Sequence, residues 1–272
     1  MSDVREGTRP QAAFFDLDRT LISGSSAFPF AIAAWRHKMM PTSRLIGDAA
    51  AALAFRIAGA SDDRSAALRD RILGSVAGRE ESMLRGLGAE LVPRLIDSIR
   101  PEARELLDMH VAAGRDVYVV SASPIEIVTA LAEAIGIAGG IGTRGEVVDG
   151  RYTGKLTGDF CYGEGKAAEV LKLSEARGYD LLASYAYSDS ASDLPMMELV
   201  GHPVAVNPDR PLEEVARRRG WPIVVFRRRA KAVARATTAI AGSVALAGVS
   251  YVVGRRHGRR HEVARVGPLR LR

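Results

Sequence analysis

Three short apolar runs each break off at a polar residue, and this pattern constrains the fold of the chain more than any other feature. Ala12-Ala13-Phe14-Phe15 stops at Asp16, Val117-Tyr118-Val119-Val120 stops at Ser121, and Leu181 to Tyr187 runs into Ser188-Asp189. Apolar runs of this length read as buried strands, although for Ala12–Phe15 periodicity alone does not exclude a helix. Helical patterns lie between them. Pro101 to Ala113 has proline near its start and Gly114 just past its end, about Pro124 to Ala134 is closed by Gly136, and Glu164 to Arg177 is closed by Gly178. Val204–Val206 and Ile223–Phe226 predict two further strands around a helix near Leu212–Arg219, and the turn glycines of Gly145–Thr157 predict a hairpin. Strands alternating with helices predict an α/β fold with an open, mostly parallel sheet. In such sheets sites lie beyond the carboxyl ends of the strands, where Asp16, Ser121 and Asp189 fall.

The stretch from about Ala27 to Ile99 breaks this alternation. It is rich in Ala, Leu, Ile, Met and Arg at helical spacing, with Pro41, Gly59, Gly74 and Gly78 as punctuation. It is too long for an ordinary crossover, so a separate helical cap is expected between the first two strands. The expected division is a core of residues 12–24 and 100–226, a helical cap of residues 25–99, and a basic tail of residues 227–272.

Charge is distributed unevenly over the 272 residues, whose formal total is +6. From Arg227 onward twelve Lys/Arg stand against Glu262 alone, which leaves the preceding 226 residues at −5. The body is mildly acidic, which argues against nucleic-acid binding by it. The polar start Met1–Pro10 does not read as a secretory signal. Cys161, the sole cysteine, allows no intramolecular disulfide, and no Cys/His cluster has zinc-ligand spacing. A reducing, cytoplasmic setting fits.

Asp16, Asp18, Ser121, Lys166, Asp189 and Asp193 make a chemically coherent set. Carboxylates converging at strand ends repel one another unless a cation neutralises them, and hard oxygen ligands suit Mg²⁺. Such an ion would draw a phosphate oxygen and offset its repulsion from an attacking carboxylate. Lys166 adds positive charge and Ser121 a hydroxyl donor. Positioning and charge neutralisation are what phosphoryl transfer chiefly requires.

These residues resemble the haloacid dehalogenase superfamily. Asp16-Leu17-Asp18-Arg19-Thr20 matches its DxDxT signature, Ser121 its second motif, Lys166 in Gly163-Glu164-Gly165-Lys166 its third, and Ser188-Asp189-Ser190-Ala191-Ser192-Asp193 its fourth, in the DSxxD form. Order, strand placement and spacing agree over residues 12–226. The helical insert between the first two motifs resembles the phosphoserine-phosphatase-like members, subfamily IB. The resemblance implies a Rossmann-like core with an inserted cap. It implies that Asp16 attacks phosphorus to form an aspartyl-phosphate, and that Asp18 protonates the leaving alcohol and then deprotonates water. It places Mg²⁺ on the Asp16 side chain, the Asp18 carbonyl and the Asp189 side chain, with Asp193 behind them, and phosphoryl oxygens on Ser121 and Lys166. Two departures bear on the substrate. Phosphoserine phosphatase has a glutamate after DxDxT that meets the substrate ammonium, whereas Leu21-Ile22-Ser23-Gly24-Ser25-Ser26 contains no acid; and Ala122-Ser123-Pro124 replaces its glycine pair. A small phosphomonoester is therefore expected, with L-phosphoserine ranked below it. Phosphotransfer to another alcohol, and an idle binding protein retaining the fold, are the alternatives.

Each residue also has an ordinary reading. Asp16 and Asp18 could form a strand-end turn that caps a helix, Ser121 could simply end a strand, and Lys166 could be solvated. Lys166 at a helix start is unusual, because cations prefer the other end. Met196 and Met197 read as core. Arg36, His37, Lys38 and Arg44 read first as a solvated helix face and second as contacts for an anionic substrate. His110, His202, His257 and His261 have no motif context.

Within the tail, Ala236 to Gly254 is a run of 19 uncharged residues between Arg235 and Arg255, near the minimum for a membrane span. Its Ser, Thr and Gly weaken that reading, and basic flanks at both ends leave orientation open. A spanning or anchoring helix 236–254 on the inner face of the cell membrane, a helix docked on the core, and a loose tail are the three expectations. Anchoring would favour a lipid-linked phosphoester.

Overall fold

The computed structural model describes residues 9–37, 69–70, 73–74 and 76–226. The basic tail with residues 236–254, the cap positions Lys38 and Arg44, and His257 and His261 lie outside the described residues. No described helix is long and apolar enough to cross a membrane.

In chain order the elements are β1 (Ala12–Asp16), α1 (Ala27–Arg36), α2 (Glu81–Ser98), α3 (Pro101–Ala112), β2 (Asp116–Pro124), α4 (Ile125–Ile135), β3 (Gly139–Thr143), β4 (Gly145–Val148), β5 (Arg151–Leu156), α5 (Glu164–Arg177), β6 (Tyr185–Ser188), α6 (Leu194–Glu198), β7 (His202–Val206), α7 (Arg210–Arg219) and β8 (Ile223–Val224). Six strands form one sheet in the order β3-β2-β1-β6-β7-β8 with parallel pairings, and β4-β5 is an antiparallel hairpin. The expected α/β architecture is present.

The two-residue period of the strands divides the core. Ala13, Phe15, Val117, Val119, Tyr187 and Val206 face one apolar cluster, which includes Leu87, Leu91 and Leu95 of α2, Leu107 of α3 and Leu131 of α4. Ala12, Phe14, Tyr118, Val120, Ala186 and Ala205 face the other, with Val170 of α5, Met196 and Met197 of α6, and Leu212 of α7. A parallel sheet covered on both faces needs strands apolar on both faces, which is why Ala12–Phe15 has no polar member. Met196 and Met197 are core, as expected.

Three elements add to or differ from the sequence expectation. Gly139-Gly140-Ile141-Gly142-Thr143 is strand β3, in a stretch to which the sequence pattern assigns no element. A Cβ at position 140 would sit 2.8 Å from the Val128 backbone, and one at 142 would sit 2.9 Å from the Ser123 carbonyl. The glycines let the strand lie tight under α4, an override of propensity by packing. Leu181–Ala183 is a single 3₁₀ turn, not strand, because the Asp180 carboxylate accepts from the Leu182 and Ala183 N–H groups. β2 continues past Ser121 to Pro124, with a register shift against β3 between Val120 and Pro124.

The helical insert leaves and rejoins the sheet layer through paired backbone. Ile22 and Ile99 form an antiparallel bridge, the Ser23 N–H donates to the Ser98 carbonyl at 2.9 Å, and the Arg100 N–H donates to the Leu21 carbonyl at 3.0 Å. Helix α2 packs on α4, with Gly88 close to the Glu126 carbonyl and the Ala130 methyl. Arg36 and His37 at the end of α1 face Glu90 of α2, with His37 Nε2 2.7 Å from its carboxylate.

Candidate active site

Strand β1 ends at Asp16, and the chain then turns sharply instead of continuing. Ile22 N–H donates to the Leu17 carbonyl at 3.0 Å and Arg19 N–H to the Gly24 carbonyl at 2.9 Å, with Arg19 at φ 65°. This turn brings Asp18 back beside Asp16. Neighbouring strands deliver Ser121 from β2, and Ser188 and Asp189 from the end of β6, to the same edge of the sheet. Asp193 follows in a short turn before α6. Lys166 arrives from the opposite side, in the first turn of α5. Gly165 makes that approach feasible, because a Cβ there would lie 1.8 Å from the Phe160 carbonyl oxygen.

The six residues read from the sequence converge. Lys166 Nζ lies 2.6 Å from Asp16 Oδ1 and 2.8 Å from Asp193 Oδ2. Ser188 Oγ donates to the same Asp193 oxygen at 2.7 Å. Asp16, Ser121, Lys166, Asp189 and Asp193 are each 2–7% exposed, and Asp18 is half-buried. Buried ionised groups persist only when paired. Burial would push the Lys166 ammonium down, but Asp16 and Asp193 hold it above the ordinary lysine value. The two carboxylates thus favour the charged form of Lys166.

The carboxylates exceed the positive charge that faces them. Burial raises Asp16 well above the ordinary aspartate value, against the opposing pull of Lys166, and Asp193, Asp189 and Asp18 raise it further. Asp189 is pushed up to about 7, by burial first, with Arg19 opposing and Asp193 and Asp209 adding repulsion. Arg19 Nε stands 2.9 Å from Asp189 Oδ2, yet that oxygen accepts no well-directed hydrogen bond, and neither does Asp193 Oδ1. Half of the Arg19 side chain is exposed, so the pair is partly screened. Two buried carboxylate oxygens without donors, in a cluster where Asp16 and Asp189 are raised by burial first and by neighbouring carboxylates after it, are a donor set suited to a hard divalent cation. In this respect the residues fit Mg²⁺. Among the described residues no three His, Cys, Asp or Glu side chains gather closely enough to hold a metal ion by themselves, so a cation here would need backbone or water oxygens as well.

The sequence reading missed four contributors. Asp209, at the start of α7, receives the Ala191 N–H and Ser190 Oγ, and its own N–H donates to the Asp189 carbonyl at 2.7 Å, so it braces the Asp189 loop. Asp ahead of Arg-Pro is a helix-cap signal; nothing local shows that the same carboxylate reaches back to β6. Ser25 Oγ and the Ser26 N–H hold Asp18. Ser123 N–H donates to Ser121 Oγ at 3.1 Å.

The sequence profile of the haloacid dehalogenase-like hydrolases matches residues 13–198. That span carries all six converging residues. The chain belongs to the haloacid dehalogenase-like hydrolases. It is 39% identical over 265 residues to a probable phosphatase of Mycobacterium tuberculosis, covering 92% of each chain. It is 40% identical over 218 residues to phosphoserine phosphatase SerB1 of the same organism, covering 79% of this chain and 71% of that one. Among solved structures, a protein of unknown function from Bordetella pertussis superposes with a TM-score of 0.69 at 29% identity, over 80% of this chain and 99% of the other. The chain is thus a phosphatase-type enzyme of this family, similar to the phosphoserine phosphatases, and the Rossmann-like core expected from its four motifs is the fold it has.

Proposed function

We propose that this hydrolase cleaves small phosphate monoesters through an aspartyl-phosphate on Asp16. The observation that carries the proposal is the pairing of a buried Lys166 with Asp16 at the end of the central strand. Lys166 keeps one Asp16 oxygen oriented and offers charge to the incoming phosphoryl group, which lowers the repulsion between two anions. A free Asp16 oxygen attacks phosphorus as the bond to the leaving oxygen breaks, and Asp18 gives that oxygen its proton. Burial raises Asp18 above the ordinary aspartate value, against hydrogen bonds from Ser26 and Ser25, which favours the protonated acid this step needs. Asp18, now ionised, takes a proton from water as the water oxygen attacks the phospho-aspartate. Phosphate leaves, and Asp16 and Asp18 return to their starting states. Ser121, buried beside β1, donates its hydroxyl to a phosphoryl oxygen.

The Asp16 and Asp189 carboxylates with the Asp18 carbonyl would hold Mg²⁺, which supplies charge neutralisation for the phosphoryl oxygens when bound. Asp193 keeps Lys166 and Ser188 in place behind them. Residues 12–24 and 100–226 would serve as the catalytic core and residues 25–99 as a cap that recognises the leaving group. The relative named phosphoserine phosphatase supports a small phosphomonoester. The acid-free stretch Leu21–Ser26 argues against an ammonium-bearing alcohol as the preferred leaving group. The complete set of six residues supports catalysis over an idle binding role.

Phosphate release from p-nitrophenyl phosphate with and without Mg²⁺ tests this reading. Asp16→Asn is expected to lower the rate by about four orders of magnitude or more, as loss of a nucleophile does. Wild-type activity in that variant, or in a thoroughly chelated preparation, would end the proposal.

A further inference from the structure

Both carboxylate oxygens of Asp18 are held by the residues that open the helical insert. The Ser26 N–H donates to Oδ1 at 2.7 Å, and Ser25 Oγ donates to Oδ2 at 3.2 Å. Ser26 occupies the position before α1 where a serine side chain normally accepts from the helix's own N–H groups, yet it makes no such bond. Its buried hydroxyl instead meets Ser123 Oγ at 3.0 Å. Ser123 lies in the stretch of β2 where the register shifts, and its N–H donates to Ser121 Oγ at 3.1 Å. A continuous hydrogen-bonded path therefore runs from the Asp18 carboxyl, through the start of α1, to Ser121.

We infer that Ser25, Ser26 and Ser123 are positioning residues that aim the Asp18 carboxyl at the leaving oxygen and register the start of the insert against the phosphate-binding bulge of β2. The inference rests on the reading of Asp18 as the acid and base. It also assigns the working oxygen. A backbone N–H can only donate, so Oδ1 remains an acceptor throughout. A hydroxyl can donate or accept, so Ser25 serves Oδ2 whether or not it carries the proton. Oδ2 is therefore the oxygen that gives the proton to the leaving group and later takes one from water. Fixing that oxygen matters in proportion to the leaving group's need for a proton: a weakly acidic alcohol cannot depart without one, and an acidic phenol can.

The test compares kcat/KM across phosphate monoesters whose leaving groups run from p-nitrophenol to simple alkyl alcohols. Ser25→Ala, Ser26→Ala and Ser123→Ala are each expected to lose about tenfold or more at the alkyl end, consistent with the cost of misplacing a catalytic group. The loss should shrink steadily toward p-nitrophenyl phosphate. Ser25→Thr, which keeps a hydroxyl, should retain the wild-type dependence. Ser26→Ala combined with Ser123→Ala should do no more harm than either alone, because the two share one bond. Equal losses across the series, or none, would overturn the inference, and Ser123→Ala decides the matter if Ser26→Ala does not fold. Asp18→Asn in the same series separates the two readings. If it shows no leaving-group dependence, the assignment of Asp18 as acid fails; if it shows a steep dependence that the serine variants lack, only the positioning role fails.

Discussion

The two ends of the sheet bury polar groups in opposite ways. Toward the starts of the strands the buried polar side chains among the described residues are matched. Tyr179 Oη donates to Asp116 and lies 2.8 Å from Tyr118 Oη, His110 Nε2 lies 2.8 Å from Tyr187 Oη, and Arg115 reaches both Gln11 and His110 Nδ1. A guanidinium only donates, so Nδ1 of His110 accepts and Nε2–H donates to Tyr187; the ring is neutral. At the carboxyl ends, four aspartates crowd around Lys166 and leave Asp189 Oδ2 and Asp193 Oδ1 without donors. The first arrangement lowers the energy of the folded chain by satisfying what it buries. The second leaves repulsion standing for a ligand to relieve, as active sites commonly do. Burial of polar groups alone does not mark a site; what sets this end apart is that the unsatisfied atoms include two carboxylate oxygens in one acidic cluster, whereas Thr20 Oγ1, Arg100 Nε and Asn207 Nδ2 are isolated cases.

Four experiments would break or sharpen that contrast. Lys166→Met should have the largest effect, because it leaves Asp16 and Asp193 facing each other in a buried place. Breaking a buried pair costs about 3–5 kcal/mol, and loss of a charge aimed at the phosphoryl group costs about 10²–10³-fold in rate; denaturant melts and phosphate release read the two losses separately. Acid should unfold the molecule partly through the satisfied end. Burial, with Arg115 adding to it, lowers His110 to about 4, below the value of about 6.5 in an unfolded chain. The unfolded state thus binds the extra proton first, so stability present above pH 6.5 falls as pH drops toward 4, by about 3 kcal/mol from this residue. His110→Phe should flatten that part of the pH–stability curve.

Mg²⁺ should act on the crowded end alone. At a hundredfold excess over its Kd it would stabilise the wild-type chain by about 2–3 kcal/mol, visible as a rise in Tm that Asp189→Asn largely removes. The smallest effect belongs to Tyr187→Phe, which strands the His110 N–H in the core at a cost of about 1–3 kcal/mol. It should leave kcat/KM near wild type. A large drop in activity there would show that the two ends are coupled and the contrast is wrong.

Much of the site was legible because strand ends are local features. Asp16, Ser121 and Asp189 are found by asking where apolar runs stop, and Gly136 and Gly178 end helices that the period already indicates. β3 was not legible, because its glycines are there for contact with α4 rather than for strand propensity. Asp209 and the three serines were not legible either. A carboxylate ahead of a proline and two serines in a turn have ordinary local uses; here Asp209 reaches back to Ser190, Ser26 reaches Ser123, and Ser25 turns back onto Asp18.

What the sequence determined by itself is the set of chemical groups at the sheet's carboxyl edge and their order in the chain, since alternation, helix stops and turn residues act over a few positions. What only the tertiary structure decided is who meets whom: Lys166 with Asp16 across 150 residues, and Ser26 with Ser123 across 97. The physical reason is that a side chain's partner depends on strand order, on the sharp turn at Leu17–Leu21 and on the register shift in β2, all fixed by packing that no short stretch of sequence contains.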